Sequence, residues 1–286
     1  MDMPKRKVRL SAVSTLHYIR LVYRSLLFLA LAAIYLFHRL RGGAGVIDAL
    51  MEYPAVLILL WVVFAAEMIL RFFPSRLESP GCQKQFARNY IKTGTTHIEM
   101  HDNNATVLVA LIWISFNGVF GALHMTGILD DGIMLLLCCA YSVCDMICIL
   151  FFCPFQTWFL KNKCCVTCRI YNWDYAMMFT PLFFVRRVYT WSLLLLSVAL
   201  LARWEITFYK YPERFSEETN GYLKCARCTE KLCAHKNQLR SLWQEAAEFT
   251  DRRIKKLRLD VQAEGERLTQ MTKAAKESIE KRKKNR

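Results

Sequence analysis

Apolar residues in this chain gather into long runs separated by short polar stretches. Four runs are firm: Leu21–Phe37, Ala55–Phe73, Ala105–Leu123 and Ile133–Cys153. Each is close to the ~20 residues that carry a helix across the hydrocarbon core of a bilayer. Pro54 and Pro74 bracket the second run and Pro154 marks the end of the fourth, as expected of a residue that cannot continue a helix. A further run starts at Val188, has aromatic ends at Tyr189 and Trp204, and extends to Phe208.

Loop charge orients these spans. Lys5, Arg6, Lys7 and Arg9 precede the first, and Arg76, Lys84, Arg88 and Lys92 follow the second, whereas "HMTGILDDG" between the third and fourth has no Lys or Arg. The excess of cationic loop residues on one side places that side in the cytoplasm, together with Lys161, Lys163 and Arg169. If Val188–Phe208 alone followed, the tail Asp251–Arg286, with 13 Lys and Arg against 6 Asp and Glu, would be exported. The stretch "YAMMFTPLFFV", Tyr175–Val185, resolves this. Its eleven residues give only about 16 Å of helix, yet with Trp173, Arg186 and Arg187 at its ends it can cross a thinned bilayer. A re-entrant excursion is the alternative, and the tail charge favours crossing.

The expected fold is therefore an all-α polytopic membrane protein with about six membrane-inserted helices, near 21–37, 55–73, 105–123, 133–153, 174–187 (the short fifth) and 188–208. A basic segment, 1–20, precedes them. A cysteine-rich cytoplasmic segment, 209–235, follows. The remainder, 236–286, carries Trp243, Ile254, Leu257, Val261, Leu268 and Met271 at spacings suited to a basic amphipathic, coiled-coil-like helix. Such a helix would lie on anionic lipid or pair with a partner helix, including a second copy of itself. Both termini fall in the cytoplasm.

Composition agrees: 54% hydrophobic residues and a mean hydropathy of +0.17 suit a membrane protein. The formal charge of +15 fits cytoplasmic loops and a basic tail better than nucleic acid, for which no motif is present.

Twelve cysteines add candidate chemistry. Cys165-x-x-Cys168 enters the hairpin formed by the last two spans and Cys225-x-x-Cys228 follows its exit. Crossing by 174–187 would therefore put both pairs on one side. Four thiolates match the closed tetrahedral set of structural zinc, with an iron–sulfur cluster as the alternative. Cys164, Cys233 and His235 are alternates, and nearby Arg169, Lys224, Arg227 and Lys231 would help keep the thiols ionised.

A second constellation lies within the spans. Cys144, Asp145 and Cys148, with Asn117 as a polar neighbour, could line a path for a metal or small solute, because acids at membrane depth default to function. Glu67 and Arg71 are spaced to pair on one helix face. His97, Glu99 and His101 read as polar loop surface. No nucleophile elbow, His-Glu-x-x-His or nucleotide loop appears, which favours a non-enzymatic scaffold or assembly factor. A transporter or channel and a membrane iron–sulfur redox protein are the alternatives.

Overall fold

The structure is a computed structural model. It describes residues 12–40, 54–74, 80–98 and 103–224 apart from Lys163 and Val166, together with Lys236 and Ser241. The described residues are helical, with no named strand: α1 (Ala12–Leu40), α2 (Pro54–Leu70), α3 (Pro80–Gln85), α4 (Asn103–Met125), α5 (Asp131–Leu150), α6 (Asp174–Phe179) and α7 (Val188–Lys210). Four stretches, Thr15–Leu40, Asn103–Met125, Asp131–Leu150 and Val188–Lys210, are long and apolar enough to cross a membrane, and Leu57–Leu70 is a shorter apolar helix. The tail expected to be helical over 236–286 lies outside the described residues except at Lys236 and Ser241.

α1 starts well before the run that announces it in sequence. His17, Arg20 and Arg24 occupy its first turns and are all buried, so their polarity hides the helix from a hydropathy reading. On its other side Ile19, Val22, Leu26 and Leu29 are more than half exposed, the surface expected of a lipid-facing helix. α5 ends at Leu150, and Pro154 opens a π-helical turn, Phe155–Phe159.

α6 fills the middle of the bundle. Tyr175, Met178, Phe179 and Leu182 pack with Phe64, Ala65 and Met68 of α2, Cys138 of α5 and Leu193, Leu200 and Trp204 of α7. A helix apolar on all sides has no face to give to water and is buried. Thr180–Phe183 continues it as a 3₁₀ turn with Pro181 near its start.

The chain enters and leaves this segment at opposite ends of the bundle. At the entry end, Asn172 Nδ2 donates to Gln85 Oε1 at 2.8 Å, and Asn220 Nδ2 donates to the Lys84 carbonyl at 3.0 Å. There Lys92 bridges to Asn220, and the Gly221 N–H donates to the Ile91 carbonyl at 2.7 Å. The stretches after α2, before α6 and after α7 thus share one end. At the exit end, the Phe184 ring lies on Gly121 near the close of α4, and Val185 packs on Met134 near the start of α5. Segment 171–185 therefore traverses the bundle, and α7 returns.

The expected Glu67–Arg71 pair gives way to partners on other elements. Glu67 pairs with Arg24 of α1 and Arg71 with Asp174 of α6. α2 ends at Leu70, so Arg71 is outside the regular helix that would have set the two side chains one above the other.

Candidate functional site

A cavity of about 240 Å³ opens where the end of α5, the π turn, the Cys165–Cys168 turn and α6 meet. Cys144, Asp145 and Cys148 reach it from α5, Cys153 from just beyond the cap, Cys165 and Cys168 from the turn, and Asp174 from the start of α6. Met177, Met178, Trp113 and Tyr141 supply apolar wall.

Backbone and side-chain bonds shape the turn. The Cys168 N–H donates to the Cys165 carbonyl at 3.1 Å, and the Tyr171 N–H donates to the Cys168 carbonyl at 3.1 Å. Gln156, from the π turn, accepts the Cys165 thiol on Oε1 at 3.0 Å and donates from Nε2 to the Asn162 carbonyl at 3.0 Å. Cys168 beds against Val109 and Ile170. Lys236 donates to Cys165 Sγ at 2.9 Å and to the Cys148 carbonyl at 2.8 Å.

Arg169 does not serve the thiols. Glu205 of α7 holds its guanidinium in a two-pronged pair, one contact at 2.6 Å, and Phe208 lies 3.7 Å beneath it. Trp173 Nε1 donates to the same carboxylate at 2.7 Å. Burial dominates instead: it pushes the Cys168 thiol up to about 12 and holds Cys165 above the ordinary thiol range even beside Lys236. At Cys165 desolvation of a thiolate outweighs the attraction of Lys236; of the cations expected to keep these thiols ionised, Arg227 and Lys231 lie outside the described residues.

Behind the cavity lies an ion network. Arg24 donates to Glu67 Oε2 at 2.8 Å, to Asp145 Oδ2 at 3.2 Å and to the Ser142 carbonyl at 3.1 Å. Tyr23 and Tyr175 donate to Glu67 at 2.5 and 2.8 Å. Arg71 meets Asp174 at 2.6 Å and lies over the Tyr175 ring at 4.5 Å. Arg20 approaches Glu67 to 3.5 Å. Three carboxylates thus face three guanidiniums, the pairing that buried charge requires. His17 is buried beside them, with no hydrogen-bond partner for either ring nitrogen among the described residues.

The two groups of residues picked out from sequence as separate sites, Cys165 with Cys168 and Cys144 with Asp145 and Cys148, share one cavity. Asn117 is not on its wall: it accepts from Tyr141 Oη at 3.2 Å and donates to the Trp113 carbonyl at 3.0 Å. Cys164 is half-buried, its N–H donating to Asn162 Oδ1 at 3.2 Å. Cys225, Cys228, Cys233 and His235 lie outside the described residues. Among the described residues no three His, Cys, Asp or Glu side chains are grouped closely enough to hold a metal ion. Sequence reasoning missed Cys153, Gln156 and Asp174. Only Asp174, an acid at the edge of an apolar stretch, carried a signal.

Comparison with protein families, with curated proteins and with solved structures returned no match. The functional reading therefore rests on geometry.

Proposed function

We propose that this is a multi-pass membrane protein, with both termini cytoplasmic and segment 174–187 crossing as the short fifth span, that carries a soft-metal site at its cysteine end. Cys165 and Cys168 would supply two ligands and Cys225 and Cys228 the other two, with Cys164, Cys233 and His235 as alternates. Zinc is the first candidate and an iron–sulfur cluster the second, since both take four thiolates. The metal would tie the traversing segment to the chain that follows α7, and the protein would act as a scaffold or assembly factor. The basic tail 236–286 would engage anionic lipid or a partner helix.

The observation that carries this reading is the 2.9 Å approach of Lys236 to Cys165. Lys236 follows His235 directly and is eight positions past Cys228, so the chain just after the second pair reaches the first pair. A transport reading keeps one specific support, the position of Cys144, Asp145 and Cys148 on the wall of the same cavity.

The test is to purify the protein anaerobically without added metal and measure zinc, iron and copper beside an absorbance spectrum. One equivalent of colourless zinc, lost in Cys165→Ser and in Cys228→Ser, is the expected result. A brown, iron-containing protein would select the cluster. Metal-free protein with full stability would reject the site. Asp145→Asn, read beside its thermal midpoint because Asp145 pairs with Arg24, separates scaffold from path: in folded protein a scaffold keeps its metal, and a path loses flux.

A further inference from the structure

At the end of the bundle opposite the cysteines, an open groove of about 1190 Å³ runs between the close of α4 and the start of α7. Val188, Trp191 and Leu195, at i, i+3 and i+7, form one stripe down α7 along its wall. Phe183 stacks on Trp191 with ring centroids 5.9 Å apart. Val188 is 89% exposed and Leu195 61%, so the stripe is open among the described residues. Arg186 and Arg187 stand at the mouth of the groove, both exposed.

The charges there are uneven. His124 Nε2 lies 3.3 Å from Asp131 Oδ1, the one carboxylate on the described lining of the groove. Neither Arg186 nor Arg187 has a carboxylate within salt-bridge distance among the described residues. Two adjacent guanidiniums without a counter-ion among the described residues, at the head of an apolar stripe two helical turns long, match a molecule with an anionic head and a hydrocarbon tail. Arginine is well suited to the head, since its planar fork binds phosphate oxygens in pairs. The positions also run against the charge bias of the loops, which leaves "HMTGILDDG" at this end without Lys or Arg.

We infer that this groove is a binding site for an anionic phospholipid, its phosphate held by Arg186 and Arg187 and one acyl chain laid along Val188, Trp191 and Leu195. This goes beyond the metal site, which lies at the other end of the bundle and does not depend on it.

The test uses the full chain in detergent micelles doped with phosphatidylglycerol or with phosphatidylcholine of the same chains, followed by mass spectrometry of the lipid retained per protein. Phosphatidylglycerol should be retained at about one per chain and at least ten times more than phosphatidylcholine. Arg186→Ala with Arg187→Ala should abolish that preference, and Leu195→Trp, which fills the stripe, should reduce retention of both lipids. Each variant is first checked for an unchanged thermal midpoint in phosphatidylcholine micelles, and Arg186→Lys with Arg187→Lys, which keeps the charge, should recover part of the preference. Equal retention of the two lipids, or an undiminished preference in the double alanine variant, would overturn the inference. Displacement of phosphatidylglycerol by millimolar inorganic phosphate alone would also overturn it, by showing a bare anion site.

Discussion

Arg24 and Glu67 approach to 2.8 Å between α1 and α2, with 1% of the Arg24 side chain exposed. The same guanidinium reaches Asp145 of α5, so one side chain joins three helices. Removing one partner of a buried pair costs more than the pair contributes, because the other charge is left uncompensated. Arg24→Met should therefore lower stability by about 3–5 kcal/mol, read as a large drop in thermal midpoint or in the yield of folded protein. Arg24→Met combined with Glu67→Gln and Asp145→Asn removes the stranded charges and should recover much of that loss. A triple variant no better than the single one would show that the cation, not the balance of charge, holds the helices.

The contact of Gly121 with Phe184 fixes where segment 171–185 ends. A Cβ at position 121 would sit 2.0 Å from the ring, well inside van der Waals contact, and the ring is wedged between α4 and α5. Gly121→Ala should cost about 1–3 kcal/mol, the usual range for forced overpacking. Phe184→Leu should rescue the alanine variant in a thermal melt, since a smaller side chain vacates the colliding volume.

How much of this could be read from the chain follows from where each signal resides. The spans at 105–123 and 133–153 are visible because their apolar runs are continuous, and their helices match to within a few residues. The start of α1 is hidden by His17, Arg20 and Arg24, and the acid that pairs with the two arginines, Glu67, lies 43 or more residues away. Asp145 is conspicuous as an acid in an apolar run, but its partners are not, because Arg24 comes from another helix. Cys165 and Cys168 stand out by spacing. Their sharing of a cavity with Cys148 and Cys153 depends on the return of the chain through the π turn, which local pattern does not encode.

Glu205 positions the cysteine turn from α7. It grips Arg169, the residue after Cys168, and accepts from Trp173. Groups that orient ligands typically change metal affinity by 10–100-fold. At the proposed zinc site, Glu205→Gln should weaken zinc retention about tenfold in competition with a chromophoric chelator, with a much smaller change in thermal midpoint of the metal-free protein. Equal effects on both would assign Glu205 to folding alone.

At the proposed site, metal affinity should rise steeply with pH. Burial holds the metal-free Cys168 thiol near 12 and Cys165 above its ordinary range, so both carry protons at neutral pH. Ligation requires thiolates and releases those protons. Each proton released makes the affinity rise about tenfold per pH unit, and at least two should be counted between pH 6 and 8 by comparing titrations or by pH-stat uptake. An affinity flat across that interval would mean that these two thiols are not ligands.

Topology offers the sharpest check on segment 171–185, because the contacts at its two ends make opposite demands. Thr95 Oγ1 donates to the Glu218 carbonyl at 2.6 Å, and Lys92 bridges Asn220. The loop before α4 and the stretch after α7 must therefore lie on the same side of any bilayer the bundle spans. Gly127, in the turn between α4 and α5, lies beyond Gly121, at the end where Phe184 and Val185 leave the core. Reporter tags inserted after Gly94 and after Gly221 should both report the cytoplasm, and one inserted after Gly127 the opposite side. If the tags after Gly94 and Gly127 report opposite sides while the tag after Gly221 agrees with Gly127, the segment does not cross. The two cysteine pairs would then be divided by the membrane, and no shared metal site could form.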